Sequence, residues 1–187
     1  MQPIFTRRSI GFAGAIFFAS PWSVMAGKTT GFSLAGTAFE SAGEQHQIDP
    51  LLLYSVALLE SGYGHGKGTV GPWHLTLRSP EKAFYLDTPS EARKTLLSIL
   101  SRTSAVDVGV MQVNIKWNGF RVAAPTDLLD LATNVGVGAS ILKEAILSSP
   151  GDLGLGLGRY HNWSDEKRAR NYGSRVLAVY SNLKAIK

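Results

Sequence analysis

From residue 37 onward apolar positions recur mostly at helical spacing, and Leu51 to Leu59 is apolar on nearly every face. Such a helix belongs inside a domain rather than on its surface. Asp49-Pro50 supplies its start, with an acid to cap free N–H groups and a proline at the first helical position. Ser61-Gly62, with glycines at 64, 66 and 68, ends it abruptly. Glu60 therefore closes a run of buried apolar residues. Carboxylates are rarely buried without a partner, and apolar surroundings raise a carboxyl pKa. Glu60 is either a solvated helix end or a tuned acid.

The flanking pattern is also mainly helical. A first helix is expected from Thr37 to near Ile48. Trp73, Leu75 and Leu77, then Phe84 and Leu86, alternate with other residues around a turn at Ser79-Pro80-Glu81-Lys82, which predicts a β-hairpin. Thr88-Pro89-Ser90-Glu91 reads as a capping box opening a helix to about Arg102. Thr126-Asp127 starts another, running to about Ser148 with a break near Asn134 to Gly138. Leu153 to Tyr160 is a short helical segment weakened by three glycines. Ser164-Asp165-Glu166 caps a last helix with Val176, Val179, Tyr180 and Leu183 on one stripe. The expected fold is mainly α, with one small hairpin.

Composition adds boundaries. The 187 residues, 44% hydrophobic and 18% charged, suffice for one domain. Cysteine is absent, so disulfides, thiolate catalysis and cysteine-bound zinc are excluded. Arg7-Arg8, the apolar run Ile10 to Ala19, and small residues at Val24-Met25-Ala26 form the pattern of a secretory signal over residues 1–26. The arginine pair fits either an ordinary basic region or a twin-arginine signal. A Gly/Ser/Thr-rich linker is expected over 27–36 and the working domain over 37–187. Without the signal, 17 basic residues face 14 acids, a net charge of +3. That balance suits a carboxylate-bearing partner but equally a merely basic surface.

Three separate stretches, in order, resemble the motifs of the transglycosylase SLT domain, the lysozyme-like family of lytic transglycosylases. They are Glu60-Ser61; Gly109-Val110-Met111-Gln112-Val113-Asn114; and Gly158-Arg159-Tyr160-His161-Asn162 followed by Asn171-Tyr172 and Val176. The similarity spans about 37–184. Glu60 and Gly109 are 49 residues apart, more than in usual members. The surplus, an insertion at about 63–105, is similar to a subgroup found in conjugative and integrating elements. His161 also interrupts the usual Tyr-Asn pair, so either Asn162 or His161 fills that place.

The resemblance implies a lysozyme-like (goose-type/SLT) domain that cleaves the β-1,4 bond between N-acetylmuramic acid and N-acetylglucosamine. Glu60 would protonate the leaving oxygen, which needs a raised pKa. Most glycosidases add a second carboxylate, whereas this family uses one acid. The sugar's own C6 hydroxyl then closes a 1,6-anhydro ring, returning a proton to Glu60. Ser61, Met111, Gln112, Asn114, Tyr160, His161 and Tyr172 are the implied substrate-side residues. Asp49 and Asp107 are the candidate second acids, each with a capping role available. Trp73 and Trp117 either stack on sugars or pack. The histidines at 46, 65, 74 and 161 lack metal-ligand spacing, and Gly154, Gly156 and Gly158 lack the context of a phosphate loop. No metal, cofactor or nucleic-acid partner is expected.

Peptidoglycan strands are the implied partner, with components of an envelope-spanning conjugation or secretion machine in second place. The alternatives are a goose-type-lysozyme-like hydrolase and a non-catalytic wall-binding scaffold. The expected location is periplasmic. N-terminal sequencing of the exported protein should find Gly27 first, and a start at Met1 would contradict the cleaved signal.

Overall fold

The computed structural model describes residues 32–64 and 70–186. The expected export signal, its cleavage point at Ala26 and the first part of the linker lie outside those residues. The rest of the linker is not loose. Phe32 N–H donates to Ile186 O at 3.1 Å, and its ring meets Tyr54 with centroids 5.0 Å apart. Residues 32–36 thus belong to the folded body.

The protein is mainly helical with small antiparallel sheets. Helix α1 (Ala38–His46) leads to α2 (Pro50–Ser61). Asp49 caps α2 as its sequence predicts, with Oδ1 accepting from Leu51 N–H at 2.8 Å. Its other oxygen accepts the Tyr180 hydroxyl at 2.5 Å, which pushes that phenol up to about 12. Leu53, Val56 and Ala57 are completely buried, so α2 is the inner helix its composition demands.

Strands β1 (Gly62–Gly64) and β2 (Val70–Pro72) pair with Gly62 opposite Pro72. Strand β3 (Thr76–Arg78) pairs with β4 (Ala83–Tyr85), Leu77 opposite Phe84, around the expected Ser79–Lys82 turn. The alternating run through Trp73 is not one strand, however. Thr76 Oγ1 donates to Trp73 O at 2.7 Å and closes a turn, so β2 and β3 join different sheets.

Helix α3 (Pro89–Leu100) follows, then the short hairpin β5 (Asp107–Val108) and β6 (Val113–Asn114), and α4 (Ile115–Asn118). Strand β3 also pairs with β5, giving the order β4-β3-β5-β6. The segment read as an insertion is therefore woven into the body, and its Leu77, Leu96 and Ile99 lie in the common core.

Helix α5 (Leu131–Leu147) begins later than the sequence suggests. Pro125–Leu129 forms a tighter turn, and Asp130 caps α5 by accepting from Thr133 N–H at 2.8 Å. The expected break at Asn134 to Gly138 does not occur. Asn134 is spent on hydrogen bonds to another segment, and Gly138 leaves room for Met111.

Helices α6 (Leu153–His161) and α7 (Glu166–Ala185) complete the chain. The glycines that weaken α6 in isolation are what lets it pack. A Cβ on Gly158 would run into the Ala169 carbonyl of α7, and one on Gly173 into Gly154 O. Main chain meets main chain there, so neither side can yield. Gly158→Ala should destabilise the protein by about 3 kcal/mol through overpacking, read as a lower urea midpoint at unchanged m-value.

Candidate active site

Glu60 is the penultimate residue of α2, and the next residue fixes where that helix end points. The Ser61 hydroxyl is buried within bonding distance of Ala57 O (3.0 Å) and Val110 O (2.9 Å). The second contact crosses 49 positions and fastens α2 to the turn between β5 and β6.

That turn is tight and unusual. Gly109 has φ +76° and Gln112 has φ 45°, left-handed values that are costly for a residue with a side chain. Asn134 compensates. Its Nδ2 donates to Val108 O (2.8 Å) and Leu128 O (3.0 Å), and its Oδ1 accepts from Met111 N–H at 2.9 Å. A Cβ at position 109 would strike that amide, so glycine is required. From the other side the Tyr160 hydroxyl donates to Met111 O at 2.6 Å.

A groove of about 870 Å³ runs past this turn. Glu60, Gln112, Asn114, Tyr160, His161 and Tyr172 line it. Ser61 and Met111 do not. Both are buried, Ser61 as the tie just described and Met111 packed against Gly138. Tyr160 braces the turn rather than reaching for Glu60. Asn162 is occupied in a turn, its Oδ1 accepting from Asp165 N–H at 2.8 Å. His161, not Asn162, faces the acid.

The Glu60 side chain is only 14% exposed, and His161 Nδ1 stands 3.6 Å from Oε1. That is ion-pair distance, too long for a hydrogen bond. The Glu60 carboxylate raises the His161 pKa, against the opposing effect of burial. The imidazole lies flat on Tyr172, centroids 4.6 Å apart and 2° from parallel. Burial, then the Glu60 charge, drives the Tyr172 and Tyr160 phenols well above their ordinary value. The apolar shell expected around the acid thus covers only the helix behind it. The carboxyl group faces an imidazole and a phenol.

Buried polar atoms usually find partners. Here Glu60 Oε1, Gln112 Oε1 and the Tyr172 hydroxyl are buried without a hydrogen bond, and all belong to residues lining the same groove. Gln112 is instead held through Nε2, which donates to Gly109 O at 2.8 Å. Asn114 Nδ2 donates to Asp107 Oδ1 at 2.7 Å while its own Oδ1 caps α4. Asp107 also lines the groove, and burial raises its carboxyl pKa despite the Asn114 bond. Among the described residues no group of three or more His, Asp or Glu could hold a metal ion.

The two tryptophans weighed as sugar platforms separate. Trp73 packs, donating from Nε1 to Leu86 O at 2.8 Å and meeting Tyr63 edge-on. Trp117 is 68% exposed at the groove, and Trp163, 61% exposed, stands at the same groove. Sequence reasoning passed over Trp163, although a large aromatic inside the polar turn Asn162-Trp163-Ser164-Asp165 was a signal. It also passed over Asn134, which nothing in a single sequence sets apart from a helix breaker.

No family model, curated protein or solved structure matches the chain. What the site can do follows from its chemistry alone: a shielded carboxyl beside an imidazole, a second carboxyl in the same groove, one unpartnered amide oxygen, and flat apolar rings at its edge.

Asp107 fixes a stability cost that can be measured. Its folded-state pKa is raised, so folding disfavours the ionised form, and stability falls as pH rises through the unfolded and then the folded pKa. Asp107→Asn keeps an acceptor for Asn114. It should raise Tm at pH 7, with no gain near pH 3. Calorimetry at the two pH values checks this.

Proposed function

We propose that this protein is a peptidoglycan lytic transglycosylase with a lysozyme-like domain, acting in the periplasm on the bond between N-acetylmuramic acid and N-acetylglucosamine. The observation that carries this reading is Glu60, set at the end of a buried apolar helix and aimed into a long groove edged by exposed Trp117 and Trp163. Aromatic faces against an open cleft suit sugar rings, which present apolar C–H surfaces. The ordered resemblance of Glu60-Ser61, Gly109 to Asn114 and Tyr160 to Tyr172 to the SLT motifs supports the same choice.

The reaction needs a proton at the glycosidic oxygen. Glu60 delivers it as the bond to the anomeric carbon breaks, while the neighbouring acetamido group shares the positive charge. Glu60 then takes the proton of the C6 hydroxyl as that oxygen closes onto the anomeric carbon. No water is consumed and the carboxyl ends as it began. Gln112 Oε1, unpartnered, is the group free to bind the acetamido or sugar hydroxyls, and the Tyr172 hydroxyl lies beside Glu60.

Asp107 favours a second reading. A second carboxyl in the same groove, bonded through Asn114, fits a hydrolase in which it activates water. A non-catalytic wall-binding scaffold uses the groove without the acid. Service within a conjugation or secretion apparatus is compatible with any of the three.

Glu60→Gln should lower lysis of purified sacculi by about 10²–10⁴-fold, the usual worth of one general acid, with Tm nearly unchanged. Mass spectrometry of wild-type products should show 1,6-anhydro ends, one water lighter than reducing ends. Reducing ends, abolished by Asp107→Asn, would establish the hydrolase instead. Undiminished lysis by the Glu60 variant would overturn both enzymatic readings.

A further inference from the structure

Beside the groove lies a second cavity of about 450 Å³, and His161, Tyr172 and Arg175 line both. The rest of its wall is the start of α7, with Asp165, Lys167, Arg168 and Asn171. Lys167, Asn171 and Arg175 recur every fourth residue and so share one face of the helix. The two cations stand two turns, ~12 Å, apart along its axis.

The charges do not cancel. Asp165, the acid in this wall, is already committed. Its Oδ1 caps α7 by accepting from Arg168 N–H at 3.0 Å, and its Oδ2 pairs with Arg168 Nε at 3.2 Å. Arg170, on another face, is satisfied by Asp152 and Glu166. Lys167 and Arg175 have no acidic partner among the described residues. Lys167 moreover sits in the first turn of α7, where the helix dipole opposes a positive charge. Negative groups in the cavity would give each of these cations a partner.

The connection to the groove says where such a group comes from. The stacked His161–Tyr172 pair is the partition between the two spaces, and its imidazole faces Glu60 on one side. A substituent on a sugar held beside Glu60 reaches the basic cavity by crossing that partition, without leaving the surface. Lys167 and Arg175 are spaced to take more than one carboxylate along an extended chain.

We propose that this cavity is a subsite for the carboxylates of the peptide carried by the glycan strand, with Lys167 and Arg175 as its cationic contacts. This builds on the glycan-cleaving reading and adds to it a reason for preferring peptide-bearing over naked strands. The cleaved bond and the recognised charge then lie on opposite sides of one aromatic wall.

Two measurements on the full chain test it. The first is an NMR titration with a soluble stem tetrapeptide carrying free carboxylates, beside the same peptide with its carboxylates amidated. Amide shifts should concentrate at 165–175, and the amidated peptide should bind at least ~10-fold more weakly, as loss of a charge-assisted contact implies. Lys167→Glu should reproduce that loss and Lys167→Arg should not. Equal binding of both peptides, indifference to Lys167→Glu, or equal occupancy by inorganic phosphate at the same concentration would overturn the subsite.

The second compares cleavage of peptide-bearing strands with strands stripped of peptide by an amidase. Lys167→Glu should raise KM several-fold on the former and leave kcat and the latter unchanged. Equal loss on both substrates would also overturn it. Wild-type protein inert on both, yet still binding the peptide through Lys167, would sink the glycosidase reading and leave the carboxylate subsite standing.

Discussion

The site depends on one buried amide. Asn134 uses both ends of its side chain to hold the Gly109–Gln112 turn in a conformation that residue preferences oppose. Around that turn the other parts take their places. Ser61 secures the end of α2 to Val110, Tyr160 secures α6 to Met111, and Gln112 is left with its carbonyl oxygen buried and unpartnered. Strain in the main chain is compensated by hydrogen bonds from helices on either side, a pattern typical of functional turns. Without the amide, buried donors and acceptors would each cost about 1–3 kcal/mol, and three helices would lose their common reference point.

Electrostatics at the groove follows the same logic of tolerated expense. Asp107 and Glu60 are shielded acids on one surface; the Glu60 charge opposes ionisation of Asp107 and Tyr172, and both charges oppose that of Tyr160. His161 stands 3.6 Å from Glu60, and that carboxylate raises the imidazole pKa. Burying acids, phenols and an unpartnered amide oxygen around one cavity lowers stability unless a ligand uses them. Their convergence is what separates this groove from ordinary surface relief.

The elements legible in the sequence were those encoded locally. Asp49-Pro50, Thr88-Pro89 and Asp165-Glu166 each start a helix where expected, because caps act within a few residues. The position of Glu60 was legible for the same reason. Long-range terms decided the rest. Asn134 and Gly138 looked like a break, yet tertiary bonds and the bulk of Met111 use those residues within an unbroken helix. Trp73 and Leu77 looked like neighbours on one strand, yet a hydroxyl at Thr76 turns the chain between them. Among the candidate residues, the sequence pattern indicated which belong together but not their division of labour. Ser61, Met111 and Tyr160 shape the turn, while Gln112, His161 and Tyr172 meet the open space.

The glycine contacts between α6 and α7 have a mechanical consequence. Where the two helices touch main chain to main chain, at Gly158 and Gly173, no side chain lies between them to re-pack, which resists sliding of one along the other. His161 rides on one and Tyr172 on the other, and the stacked pair is carried on a stiff jaw. The rest of the groove wall mixes long helices with short pieces: Glu60 comes from α2 and Glu144 from α5, Asp107 and Asn114 from two-residue strands, and Trp117 from the four-residue α4.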